Sequence, residues 1–137
     1  MLIVDTNVLV DVLQDDAQWA EWSASQLRAQ SAVHELVINP VIYAELSLMF
    51  EAVGALDEAI DRMELRFQEL PRASLFLAGK AFVRYRRDGG NKQNVLADFF
   101  IGAHAAVQRC SILTRDPRRY RSYFPTVDLL IPHVGTQ

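Results

Sequence analysis

The chain has 137 residues, 50% of them hydrophobic and 23% charged, which suits one compact domain and leaves little room for a second. No apolar run approaches the roughly 20 residues that span a bilayer, and the first residues carry acids at Asp5 and Asp11 with no basic start, so neither a membrane span nor a signal peptide is expected. A net charge of −3 argues mildly against a nucleic-acid partner, and the single cysteine, Cys110, cannot close an internal disulfide, which points to a reducing compartment, the cytoplasm.

Leu2, Ile3 and Val4 form a short continuous apolar run that reads as a buried central strand. It runs straight into Asp5, Thr6 and Asn7, and Thr6 or Asn7 is placed to cap a helix over 7–13. Residues 17–30 have helical spacing at Trp19, Trp22, Ser23, Gln26 and Leu27, and a second strand is expected at 35–39. Asn39 then stands in a capping position with Pro40 behind it, so a helix starts there, runs to about Val53 and stops at Gly54. A further helix over 56–69 carries Leu56, Ile60, Met63 and Phe67 on one stripe, and 69–71 reads as a short strand. A helix over 73–87 ends at the Asp88-Gly89-Gly90-Asn91 turn, and Asn94 is expected to cap another over 95–109. Strands follow at 111–114 and 127–132, set off by Asp116-Pro117 and Pro125. Strands alternating with helices predict an α/β fold: a mainly parallel sheet of roughly five strands with helices on both faces, and residues 1–137 as a single domain.

In such sheets ligands bind beyond the carboxyl ends of the strands. Asp5 stands at the end of the first strand and Asp116 just past the end of the 111–114 strand. Glu45 has Val41, Leu48 and Met49 as helical neighbours, and Asp98 shares its side with Ile101, Gly102 and Ala105, so both acids lean inward. Taken singly, each has a structural reading as a cap, a turn residue or the partner of a buried Arg. Taken together, four acids at one rim would repel one another and raise each other's pKa values, a conflict that a divalent cation removes. An oxygen-only ligand set favours Mg²⁺ or Mn²⁺ over Zn²⁺, and carboxylate clusters holding such ions hydrolyse phosphodiesters.

The basic residues are uneven. Twelve of the 14 are Arg, gathered as Arg84, Arg86 and Arg87, and as Arg115, Arg118, Arg119 and Arg121. Arg forks onto phosphates and stacks on bases, although a solvated, salt-bridged surface explains such clusters equally well. Asp11 reads as solvated or paired rather than catalytic, and His104 as a packed histidine. No Walker-type phosphate loop is present, since Asp88-Gly89-Gly90-Asn91 lacks the required Lys and Ser/Thr.

Asp5-Thr6-Asn7 after an N-terminal apolar strand, Glu45 in the first long helix after the second strand, Ala97-Asp98 opening an alanine-rich helix, and Ile112-Leu113-Thr114-Arg115-Asp116 before a Tyr-rich turn together resemble a PIN domain. Within that superfamily the chain resembles the ribonuclease toxins of VapBC-type toxin–antitoxin modules. The resemblance spans nearly the whole chain. It implies a three-layer α/β/α sandwich and a Mg²⁺- or Mn²⁺-dependent endoribonuclease with Asp5, Glu45, Asp98 and Asp116 as catalytic and metal-binding positions. Asn7, Thr6 and Thr114 would orient those carboxylates. Arg84, Arg86, Arg87, Arg115, Arg118 and Arg119 would hold the RNA backbone around the acidic centre. A small antitoxin protein and a second copy of the chain are the implied partners. Apolar surface for both is expected from Trp19 and Trp22 and from Leu46, Phe50 and Val53. The alternative is a non-catalytic PIN-like domain that binds RNA or protein. A haloacid dehalogenase-type phosphatase would require a second Asp where Asn7 stands.

Overall fold

Leu2, Ile3 and Val4 are all fully buried, and because successive side chains point to opposite faces of a strand, both faces of β1 (Leu2–Val4) must be covered. The computed structural model describes residues 1–92 and 95–133 and shows how this is done. β1, β2 (Leu36–Ile38), β3 (Arg66–Phe67), β4 (Ser111–Leu113) and β5 (Leu129–Leu130) form one sheet in the order β3-β2-β1-β4-β5, parallel at every pairing. The helices are α1 (Thr6–Leu13), α2 (Ala20–Ser31), α3 (Pro40–Ser47), α4 (Val53–Arg62), α5 (Arg72–Arg87), α6 (Leu96–Gln108) and α7 (Arg118–Tyr123), and they sandwich the sheet as an α/β/α fold. Among the described residues no helix is long and apolar enough to cross a membrane.

The register fixes the functional rim. Leu2 lies opposite Leu36 on one side and Ser111 on the other, and Val4 lies opposite Leu113. The Asp5 N–H then donates to the Leu113 carbonyl at 2.9 Å, so Asp5 leaves the sheet at a fixed point between β1 and β4. α6 packs closely against the Phe124 ring at Gly102, where a Cβ would stand 2.3 Å from a ring carbon.

Several boundaries differ from expectation. The chain enters α1 through Asp5 at the capping position, with no side-chain cap; Thr6 and Asn7 sit inside the first turn and spend their side chains elsewhere. Asn39 caps α3 as expected, its Oδ1 accepting from the Val41 and Ile42 N–H groups at 3.0 Å with Pro40 in the first turn. α3 ends at Ser47, short of Val53: Ser47 Oγ bonds back to the Ala44 carbonyl, and the next three residues turn through i→i−3 bonds. Gly54 therefore opens α4 instead of stopping α3. The third strand lies at Arg66–Phe67, not 69–71, and α7 replaces an expected turn. The capping assigned to Asn94 lies outside the described residues.

Candidate active site

Asp5 is 5% exposed. Its Oδ2 accepts from Thr114 Oγ1 at 2.8 Å and Tyr120 OH at 2.8 Å, with Asn7 Nδ2 at 3.5 Å. Burial drives its pKa up to about 6, against these hydrogen bonds, and the like charges of Asp98 and Glu45 push the same way. Asn7 also donates to Thr114 Oγ1 at 3.2 Å and accepts the Arg115 N–H at 3.3 Å, which ties the start of α1 to the end of β4. Thr6 Oγ1 donates to Glu45 Oε1 at 2.5 Å. The residues expected to orient the acids thus touch two of them directly.

Asp98 stands in the first turn of α6. Burial raises its pKa, the positive charge of Arg119 opposes that rise, and Glu45 and Asp116 add to it. Arg119 Nη1 donates to Asp98 Oδ2 at 3.2 Å, while Arg119 Nε is buried with no partner among the described residues. Asp116 lies further out. Arg118 forks onto it at 3.0 and 3.1 Å and holds its carboxyl below the usual range. Asp5, Glu45 and Asp98 therefore share one field at the carboxyl end of the sheet, with Asp116 at its margin. Among the described residues no group of three or more acid, His or Cys side chains is gathered closely enough to hold a metal ion. What favours a hard divalent cation is the oxygen-only donor set and the repulsion at Asp5, a buried carboxyl beside Glu45 and Asp98, although Arg119 already balances Asp98.

The expected phosphate-holding arginines divide. Arg118 is exposed at the rim, and Arg84 and Arg86 are exposed on α5, lying over the Tyr123 and Phe82 rings. Arg115 is committed elsewhere. It forks onto Asp11 at 2.8 and 3.0 Å, and Asp11, 1% exposed, also accepts from Ser23 Oγ. Of the two readings of Asp11, solvated or paired, the pair is the observed one. His104 is fully buried against Asn39 Nδ2, with burial lowering its pKa, as a packed histidine should be.

Tyr120 was not singled out by sequence reasoning. It is 2% exposed, and burial together with the Asp5 charge pushes its hydroxyl pKa well above the ordinary value, so it stays a proton donor. The signal was present: Tyr120, Tyr123 and Phe124 have the i, i+3, i+4 spacing of an inward helix face. Of the expected partner-facing apolar residues, Leu46 is fully buried in the core, Trp19 and Trp22 are half-buried edge to face, and Val53 is 70% exposed.

The chain is thus an all-parallel α/β sandwich with acids gathered where β1 and β4 end. The PIN domain family model matches residues 2–125, and the chain belongs to that family. Solved structures share the fold. A chain of VapBC2 from Rickettsia felis, bound to a DNA fragment from its promoter, superposes with a TM-score of 0.72 at 16% identity, covering 96% of this chain and 98% of that one. VapBC-1 from nontypeable Haemophilus influenzae gives 0.71 at 14%, covering 95% and 96%, and FitAcB from Neisseria gonorrhoeae 0.66 at 19%, also covering 95% and 96%. No curated protein matches the chain by sequence.

Proposed function

We propose that this chain is a Mg²⁺- or Mn²⁺-dependent endoribonuclease, the toxin of a type II toxin–antitoxin module. It acts in the cytoplasm as a homodimer and is restrained by a small antitoxin. The observation that carries the reading is Asp5: a carboxyl almost fully buried at the end of a central parallel strand, fixed by three side-chain donors and pressed by Asp98 and Glu45. A core that needed only a cap there would not place two further acids around it. The similarity of fold to VapBC complexes supports the toxin part.

Asp5, Asp98 and Glu45 would hold the cation, with Asp116 in support. When bound, the ion supplies a polarised phosphate and a water acidic enough to attack at neutral pH. The protein's own groups do the positioning. Thr114 and Tyr120 direct both their donors at Asp5 Oδ2, which leaves Oδ1 free of side-chain hydrogen bonds among the described residues. Thr6 holds Glu45, and Arg119 balances Asp98. Arg119, whose side chain keeps some exposure beside Asp98, is a cation suited to a phosphate oxygen of the substrate. Arg118, Arg84 and Arg86 offer further phosphate contacts.

The test is cleavage of RNA by the purified chain with Mg²⁺ or Mn²⁺, with and without EDTA, alongside Asp5→Asn. Cleavage should depend on the metal and fall by several orders of magnitude in the variant, on the scale of losing metal stabilisation of the transition state. Undiminished activity in EDTA refutes the assignment. A second reading, a non-catalytic binding domain, is favoured by the arginines that already occupy Asp98 and Asp116. It predicts RNA binding without cleavage and no Mn²⁺ heat in calorimetry. Co-expression with the product of the neighbouring reading frame should yield a complex with little ribonuclease activity.

A further inference from the structure

Among the described residues eight large apolar side chains are left most exposed, and six of them fall in two stretches of the chain. Leu75, Phe76 and Val83 stand on α5; Leu48 and Val53 flank the α3–α4 connection, and Phe67 on β3 lines a groove beside α4. The two stretches have opposite charge. α5 holds five basic residues, Arg72, Lys80, Arg84, Arg86 and Arg87, and no acid, while the rest of the chain has nine basic and 17 acidic residues. Residues 40–67 contain six acids and two arginines. Both of those arginines are taken, Arg62 by Glu58 and Arg66 by Glu35. Asp57 and Asp61, by contrast, face a groove of about 530 Å³ whose other walls are Tyr43, Ile60, Leu65 and Phe67. Asp57 accepts from Tyr43 OH, and among the described residues neither acid has an ion-pair partner.

On α5, Arg72, Phe76, Lys80, Val83 and Arg87 follow one another at spacings of four, four, three and four, so they form a single ridge that alternates basic and apolar. Lys80 Nζ lies over the Phe76 ring at 5.0 Å, and no basic side chain of α5 makes an ion pair within the chain among the described residues. Gly79 is exposed on the flank of this ridge with nothing within 4 Å of a Cβ position. Such a residue costs a mid-helix position about 1 kcal/mol against Ala, and it gives a facing surface closer access to the backbone.

We propose that the α5 ridge of one copy docks in the acidic α4–β3 groove of a second copy. The apolar walls receive Phe76, while Asp57 and Asp61 receive Arg72 and Lys80. A ridge-to-ridge pairing is disfavoured, because antiparallel α5 helices crossing at Gly79 would set Arg72 against Arg87 and bring the two Lys80 side chains together. If each copy gives its ridge and receives its partner's, the contact is two-fold and closes as a dimer. The proposal rests on the homodimer in the reading above and is independent of its nuclease part.

Two charge-reversed proteins test it in sedimentation experiments: Arg72→Glu with Lys80→Glu, and Asp57→Lys with Asp61→Lys, both checked for a native circular-dichroism melt. The wild type should sediment as a dimer at micromolar concentration. Each variant alone faces like charge with like, so its dimer should weaken by at least about 100-fold. Mixed one to one, both contacts regain opposite charges, and a heterodimer should form. Phe76→Ser should also weaken the wild-type dimer. A monomeric wild type would overturn the homodimer itself. A wild-type dimer that survives both reversals, or a mixture that stays monomeric, would overturn this interface and leave the homodimer standing. Loss of RNA or antitoxin binding in the α5 variant with dimerisation intact would assign the ridge to that partner instead.

Discussion

Tyr120 donates its buried hydroxyl to Asp5 Oδ2 across 2.8 Å, so a residue of the last helix fixes the acid at the end of the first strand, 115 positions away. The phenol cannot ionise under ordinary conditions, which makes it a permanent donor to a carboxyl whose charge it favours. Tyr120→Phe keeps the ring and deletes the proton. The acid limb of the pH–rate profile should move to higher pH, and stability should fall by about 1.5–3 kcal/mol, the range for a lost bond to a charged group. A profile unmoved by the substitution would remove Tyr120 from the site.

Asp5 itself costs stability at neutral pH. Its folded carboxyl holds the proton up to about pH 6, while the unfolded one releases it near 3.8. Between those values the folded protein binds more protons, so stability falls as pH rises through the window, by an amount on the order of 3 kcal/mol. Without divalent metal, Asp5→Asn should melt above the wild type at pH 7, and the gap should close near pH 4. Calorimetric scans at both pH values check this, and a variant less stable at pH 7 would contradict it.

The same proton competes with a cation. Mn²⁺ binding measured by isothermal calorimetry should weaken as pH falls below 6, because Asp5 must first give up its proton. In Arg119→Ala, which removes the positive charge beside Asp98, Mn²⁺ should bind a few-fold more tightly at pH 7.5 while RNA binding weakens. Weaker metal binding in this variant would mean that Arg119 orders the site and does not compete with the ion.

Arg115 and Arg118 lie three positions apart and should respond oppositely. Arg115→Ala strands the buried Asp11 carboxylate and should cost roughly 2–4 kcal/mol in denaturant unfolding. Arg118→Ala, at an exposed pair, should leave the midpoint unchanged but lower the salt slope of RNA binding by about 0.9 or less. Equal stability losses would show that Arg118 is structural.

What could be read from the sequence follows the range of each interaction. The Asn39-Pro40 helix start depends on residues two and three apart, and it was legible. So was the apolar run of β1, because a fully covered strand has an unbroken signature. β3 has none: both its residues are exposed at the sheet edge, and the strand exists only because Val37 and Ile38 pair with it. Gly54 misled because its left-handed freedom is unused; α3 had already ended through Ser47. Asp5, Glu45 and Asp98 could be nominated from their helix faces and strand ends. The partners Arg115–Asp11 and Arg119–Asp98 could not, since spans of 104 and 21 residues leave no periodic trace.

The three-residue length of β1 has a consequence for how this chain tolerates change. Asp5 is held by the Leu113 carbonyl and the Thr114 hydroxyl, both set by the β1–β4 register. Inserting or deleting one residue between Met1 and Asp5 would turn the carboxyl to the opposite face of the sheet or drag Leu2, Ile3 and Val4 out of register with their neighbours. The strand is thus a ruler whose count matters more than its lettering. Isoleucine, valine and leucine should exchange along it at modest cost, whereas length variation belongs to connections away from the rim, such as residues 48–52.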